Sequence, residues 1–187
     1  FKSISIMKIQ YSYLKNFLNT KLSQKKLIDV FTQVGFECEI EGNLIEFDIT
    51  PNRGDVLSLK GLQREFHAYQ SIKPSPKVET ATLKPTKDKR VINYIDDSGC
   101  GNYHLMLING LHKVKNLDTK KRSFIESAGV PLIHPLVDLG NYVMLEIGAP
   151  MHVFDLNKLA LPVNVQFPKV NNNSVTIIGG DVKDVQS

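Results

Sequence analysis

Cysteine is scarce in this sequence. Cys38 and Cys100 are the only two in 187 residues, they lie far apart, and neither has a partner at metal-ligand spacing. A disulfide-stapled domain is therefore excluded, and both are expected to be buried thiols in a reducing cytoplasm. Long apolar runs are also missing. None approaches the roughly 18 residues that a membrane helix needs, so no membrane partner is expected. The first ten residues, FKSISIMKIQ, carry charge but no apolar stretch leading to a small-residue cleavage site, and no secretory signal is expected there. Catalytic signatures are absent as well: no Gly-x-Ser-x-Gly, no cysteine-centred triad, no nucleotide loop. Gly179-Gly180-Asp181 does not lead from a strand into a helix with phosphate-loop spacing and reads as a turn. His67, His104, His112, His134 and His152 have no histidine four residues away, so no zinc shell is suggested. There is no internal repeat and no low-complexity tract.

The folded parts also lack an excess of charge. Residues 1–72 hold nine basic and eight acidic side chains, and residues 91–187 hold eight and nine. The formal net charge of +4 comes from residues 73–90, with six basic and two acidic. A broad electrostatic grip on nucleic acid by either part is not supported by charge, although a local phosphate contact is compatible with it.

What remains is an ordinary globular composition, 42% apolar and 22% charged, long enough for one large domain or two small ones. Tyr13, Leu14, Phe17 and Leu18 have helical spacing within 12–19. Ser23 reads as the N-cap of a second helix, with Leu27, Ile28, Val30, Phe31 and Val34 as its apolar face and Gly35 as its left-handed stop. Phe36, Cys38 and Ile40 alternate with three glutamates, and a similar alternation runs through Phe47 and Ile49, with a tight turn at Glu41-Gly42-Asn43: a β-hairpin. Pro51 keeps Thr50 extended, and Asp55 is placed to cap a helix running to about Gln70. From Lys73 to Lys89 periodicity stops, with prolines at 74, 76 and 85, which reads as an extended linker. Beyond it the pattern predicts strands over 90–95 and 103–109, joined by a turn at 96–99. It predicts a helix over 120–128 capped by Asp118 or Thr119 and ended by Gly129, and short strands at 163–167 and 175–178. The fold class is α+β: a small helix–helix–hairpin–helix domain over 1–72, a linker over 73–89, and a mixed α/β domain over 90–187. Several strands of the last domain have no evident closing partner, so it reads as incomplete at the C-terminus.

Val137–Leu156 is the densest candidate site. Asp138/Asn141 and His152/Asp155 flank an apolar run broken by Gly148 and Pro150, the pattern of a pocket wall that ends in a loop. On a helix, His152 and Asp155 would share a face and serve as a base or a positioned pair; a purely structural pair is the other reading. Asn52, Arg53 and Asp55 are either substrate contacts or a self-satisfied turn with Asp55 capping and Arg53 paired to a carboxylate. Lys113, Lys115, Lys120, Lys121 and Arg122 are either phosphate contacts or a solvated face.

Two longer motifs go further. Asp48-Ile49-Thr50-Pro51-Asn52-Arg53-Gly54-Asp55, followed by Leu57-Ser58, Gly61, Arg64 and Glu65, resembles a signature of the β subunit of bacterial phenylalanine–tRNA ligase. So does Val137-Asp138, Asn141 through Glu146, Gly148, Pro150, His152 and Phe154-Asp155-Leu156. Cys100, Tyr103 and Asn109-Gly110 resemble the entry to the same domain. The resemblance covers essentially the whole chain and implies an N-terminal fragment: the first domain (B1-like) and the first half of the B3/B4 editing domain. It implies a cytoplasmic (αβ)₂ heterotetramer with an α subunit that activates phenylalanine using ATP and Mg²⁺, and tRNA(Phe) as partner. It implies no cofactor or metal in this chain itself. Residues 90–187 would then belong to a domain that hydrolyses tyrosine mischarged onto that tRNA, with His152, Asn141 and Asp155 as the candidate editing pocket and His152 helping to position the ester or its water.

The sequence also departs from the family. The tRNA-binding domain usually inserted after the stretch matching Gly35–Glu39 is missing, the hairpin closing instead through Gly42. Asn102, Lys120-Lys121-Arg122-Ser123-Phe124, His134-Pro135 and Gly140 stand where other residues are usual. Removing a buried polar group that touches substrate costs on the order of 1–3 kcal/mol. The alternative is therefore a non-catalytic scaffold of the synthetase in which editing has been lost. Bulky side chains such as Phe124 or Met151 filling the space beside His152 would favour that alternative.

Overall fold

The computed structural model describes residues 5–73, 92–94, 103–108, 111, 113–165, 174–176 and 182–184. The chain divides into two compact units, Phe1–Glu79 with His112–Val153, and Thr80–Leu111 with Phe154–Ser187. The architecture is α+β, as the sequence pattern predicts.

The first unit begins with a strand that the sequence pattern does not mark. In β1, Ser5–Gln10, Met7 and Ile9 face inward while Ile6 and Lys8 face out. It runs antiparallel to β3, Leu44–Ile49, which also pairs with β2, Glu37–Glu41, so β3 is the centre of a three-stranded sheet. The register puts Phe47 between Met7 and Cys38, and Ile45 between Ile9 and Ile40. Strand alternation thus gives the sheet one apolar face. Its other face is acidic, with Glu37 opposite Asp48 and Glu39 opposite Glu46. Lys8 bridges to Glu46 at 2.7 Å and to Glu41 at 3.6 Å.

Helices cover the apolar face. α1 spans Tyr11–Phe17 and α2 spans Gln24–Val34. Ser23 caps α2 by accepting from the Lys26 amide, and Gly35 ends it at φ 103°, as expected from their chemistry. Phe31 is fully buried at the centre, edge-on to Phe47 at 5.1 Å and tilted to Phe66 at 6.2 Å. Full burial of such a ring is worth roughly 1.5–3 kcal/mol.

The helix expected to start at Asp55 is replaced by two elements. Pro51–Val56 forms a 3-10 segment, and α3 spans Leu59–Tyr69. The cap of α3 is Ser58, 2% exposed, which accepts from the Gly61 amide at 3.1 Å. Asp55 is drawn away by arginines instead. Gly61 is required by close approach, because an added Cβ would lie 2.2 Å from the Asp55 carbonyl oxygen.

α4, Thr119–Ser127, starts at Asp118, which accepts from the Lys121 amide at 3.0 Å, and Gly129 follows it at φ 79°. α5 spans Pro135–Ile147. Both pack with residues 1–79 in one unit, whereas the sequence pattern puts the division at a linker over 73–89. A long-range ring contact contributes to this: Phe124 is fully buried in the same apolar cluster as Phe31 and stacks on Tyr13 at 4.5 Å.

In the second unit, β4, Ile92–Tyr94, pairs in parallel with β5, Val163–Val165. β6, Ser174–Thr176, pairs antiparallel with β7, Val182–Asp184. β4, β5 and β6 fall on expected strands; β7 does not. The strand expected over 103–109 does not form over 103–108. Met106 and Ile108 there are 63% and 56% exposed, and no described strand pairs with them. Except for Lys73, the expected linker lies outside the described residues, as do Cys100, Asn102 and the turns at 96–99 and 179–181. Among the described residues, no helix is long and apolar enough to cross a membrane.

Candidate functional site

α5 is the backbone of the candidate wall, and its beginning is built from polar side chains. His134 is the N-cap, its Nδ1 accepting from the Leu136 amide at 3.3 Å, and Pro135 occupies the first turn, where a missing N–H costs nothing. Asp138, 6% exposed, turns back so that Oδ1 accepts from the Ile133 and His134 amides at 2.8 and 3.3 Å. A carboxylate is favoured at this end of a helix, where unpaired N–H groups and the helix dipole concentrate positive potential. Asp138 is therefore an anchor. Its sequence companion Asn141 is half-buried one turn later and makes no side-chain hydrogen bond among the described residues.

The middle of α5 rests on aromatic rings. Tyr142 lies edge-on to Phe124, with ring centroids 6.3 Å apart, and its hydroxyl is 3.3 Å from that of Tyr13. Lys121 Nζ sits 5.6 Å above the Tyr142 ring and 2.6 Å from Asp118. Burial, with Tyr13 and Glu146 beside it, pushes the Tyr142 hydroxyl well above the ordinary phenol range, and burial also raises Tyr13. Both phenols are neutral hydrogen-bonding groups at physiological pH. The Asp118 carboxylate in turn holds the Lys121 ammonium charged. Phe124 is thus occupied by the aromatic core.

α5 ends at Gly148, φ 82°, whose amide bonds to the Met144 carbonyl at 2.8 Å. A Cβ there would lie 3.5 Å from Ser58, so the end of α5 abuts the cap of α3. The chain then passes through Pro150 and Met151 to His152. Met151 covers the Gly140 side of the helix, since a Cβ on Gly140 would meet its Cβ and carbonyl at 3.9 Å, an ordinary contact. Residues 151–155 are not helical, so the helical i, i+3 face expected for His152 and Asp155 does not form. Asp155 instead caps a short 3-10 segment, Leu156–Lys158, accepting from the Asn157 amide at 3.0 Å. His152 is exposed and falls in the first unit, Asp155 in the second.

In the second candidate group, Arg53 and Asp55 are held by ion pairs with each other and with residues of α3. Arg53 pairs with Asp55 through Nε at 2.9 Å and Nη2 at 3.1 Å, and reaches Glu65 at 2.9 Å. Arg64 also pairs with Asp55, and the Arg53 guanidinium lies 5.5 Å from the centroid of the Phe36 ring. The arginine beside it holds the Asp55 carboxyl below the usual carboxylate range. The self-satisfied turn is thus realised through ion pairing, with Ser58 taking the capping role expected of Asp55. Lys113, Lys115, Lys120 and Arg122 are exposed or half-exposed. Among the described residues, no three His, Cys, Asp or Glu side chains gather in a way that could hold a metal ion.

Sequence reasoning misses Tyr13 and Lys121 as parts of the wall. Tyr13 reads as one apolar position of a short helix, and nothing near it marks a partner 129 residues away.

The B3/4 domain family model matches residues 99–186. The phenylalanine–tRNA ligase β subunit of Pseudoalteromonas translucida is 36% identical over 148 residues, 77% of this chain and 18% of that protein. The same subunit of Aquifex aeolicus is 37% identical over 137 residues, and that of Neisseria meningitidis 33% over 138, each covering 73% of this chain and 17% of the relative. The chain spans less than a fifth of the length of these curated relatives.

Proposed function

Because this chain belongs to the phenylalanine–tRNA ligase β-subunit family, we propose that it is part of a subunit supporting the attachment of phenylalanine to its tRNA. The observation that carries this reading is the 36% identity over 148 residues to a β subunit. Amino-acid activation with ATP and Mg²⁺ is assigned to an α subunit, and the assembly to a cytoplasmic (αβ)₂ heterotetramer that takes tRNA(Phe).

Within that subunit, the region matching the B3/4 family serves to hydrolyse tyrosyl-tRNA. α5 is the wall, Asn141 an uncommitted amide on it, and His152 the side chain that positions a water against the ester carbonyl. The water attacks the carbonyl carbon and gives up a proton, the acyl C–O bond breaks, the departing ribose oxygen takes a proton, and tyrosine leaves as the free amino acid. Most of the rate gain would come from orientation and from donors to the developing oxyanion. A proton accepted by an imidazole in that step contributes about 10²–10⁴-fold. Asp155 supports the loop as a cap.

A second reading, a scaffold without editing, is favoured by a particular feature. Gly140 brings no side chain to a helix position where a Cβ would have room. The two readings separate in the full-length αβ enzyme given tyrosyl-tRNA(Phe). Editing predicts that His152→Ala lowers deacylation by at least about tenfold with phenylalanine attachment unchanged. Background deacylation in both wild type and variant leaves the scaffold.

A further inference from the structure

Three supports hold α5, and two of them come from residues 1–79. Its start is held locally by Asp138 and His134. Its middle is held by Tyr13, which stacks on Phe124 at 4.5 Å with the ring planes 4° apart and brings its hydroxyl 3.3 Å from that of Tyr142. Its end abuts Ser58. Tyr142 directly follows Asn141 in the chain, and the Gly148 end sets where the backbone leaves toward His152. The family match covers 99–186, so Tyr13 lies outside the matched region although it contacts two side chains inside it.

We propose that Tyr13 is a positioning residue for tyrosyl-tRNA hydrolysis: its ring and hydroxyl fix α4 and α5 so that Asn141 and His152 face the ester in register. This rests on the editing reading above. The physical argument is rigidity. An offset stack and a neighbouring T-shaped contact are worth about 0.5–1.5 kcal/mol each beyond the area they bury. Two half-buried hydroxyls in contact satisfy one another where water has little access. A helix pinned at its middle cannot rotate about its ends. Positioned catalysis is sensitive to this, since a change far from the chemistry that misplaces the reacting groups by about 1 Å costs up to about 10²-fold.

The test uses the full-length αβ enzyme, with tyrosyl-tRNA(Phe) hydrolysis and phenylalanine attachment measured on each preparation. Tyr13→Ala is expected to lower kcat for hydrolysis by roughly ten- to hundredfold, with KM for the charged tRNA and the rate of phenylalanine attachment within twofold of wild type. Tyr13→Phe keeps the stack and removes only the hydroxyl; it should fall between wild type and Tyr13→Ala, which keeps the test usable if the alanine variant does not fold. Hydrogen exchange over 135–147 should accelerate in Tyr13→Ala. If His152→Ala abolishes hydrolysis while Tyr13→Ala and Tyr13→Phe leave it within twofold, the positioning role is overturned and the editing reading survives. If both activities fall together in both Tyr13 variants, Tyr13 is structural only and the proposal is wrong. If wild type shows only background hydrolysis, the editing reading fails and the positioning role of Tyr13 fails with it. Unchanged exchange over 135–147 refutes the mechanical part by itself.

Discussion

Two aromatic clusters lie in the same apolar core and are assembled differently. The first gathers Phe31, Phe36, Phe47 and Phe66, all within one continuous stretch of chain, between helices and a sheet that follow one another. The second joins Tyr13 to Phe124 and Tyr142, across more than a hundred residues, and has a polar edge of two hydroxyls and a lysine. The first cluster supports the sheet and the helices that cover it. The second connects the opening segment to the candidate wall. Local contacts thus make a core, and the distant ones decide where the helix of the candidate wall sits.

Hydrogen exchange in the full-length subunit can break this comparison. Phe31→Ala empties a fully buried position and should cost about 3–5 kcal/mol, seen as weaker protection throughout α2, α3 and the sheet. Phe124→Ala removes a ring of the same size; its effect should concentrate in α1, α4 and α5, leaving the β2–β3 hairpin protected. Equal deprotection of the hairpin by both variants would mean that the clusters do not differ. Gly61→Ala forces a Cβ against the Asp55 carbonyl, and overpacking of this kind costs roughly 1–3 kcal/mol. It should loosen the start of α3 and, through Ser58, the end of α5. Unchanged exchange at both places would contradict that coupling.

The smallest effect belongs to the ion-paired turn. Asp55→Asn should change stability only slightly, since the group is largely exposed and salt screens it. Its pH dependence has a definite sign. The folded carboxyl titrates below its unfolded value, so its contribution is complete above the unfolded pKa and is lost as pH falls through the folded one. Thermal denaturation followed from about pH 6 down to about pH 3, across the carboxylate range, should therefore show a decrease that is slightly smaller in Asp55→Asn than in wild type, and salt should shrink the difference.

Much of the fold is legible in the sequence, for identifiable reasons. Ser23 and Gly35 bound α2 because a cap side chain and a left-handed glycine act within one turn. The β2–β3 hairpin follows from alternation around Gly42, φ 60°. Asp118 caps α4, one of the two residues expected to do so. Asp55 shows where such reading fails. Its side chain suits a cap, but two arginines compete for it, and Ser58 takes the role. β1 escapes a local reading because six residues of strand are defined only by the neighbour they pair with. In the candidate site, the end of α5 at Gly148 is legible as a break. The relation of His152 to Asp155 is not, because an i, i+3 spacing carries meaning only on a helix.

The sequence alone determined the caps, the turns, the alternating strands and the motifs that mark the family, because each depends on residues within a few positions of one another. Tertiary structure alone decided that Tyr13 meets Phe124 and Tyr142, that Asp138 is buried as an anchor, and that α4 and α5 share a unit with the first seventy-nine residues. Closing a loop costs entropy that grows only slowly with its length. A contact across more than a hundred residues is therefore tolerated, and nothing local in the chain announces it.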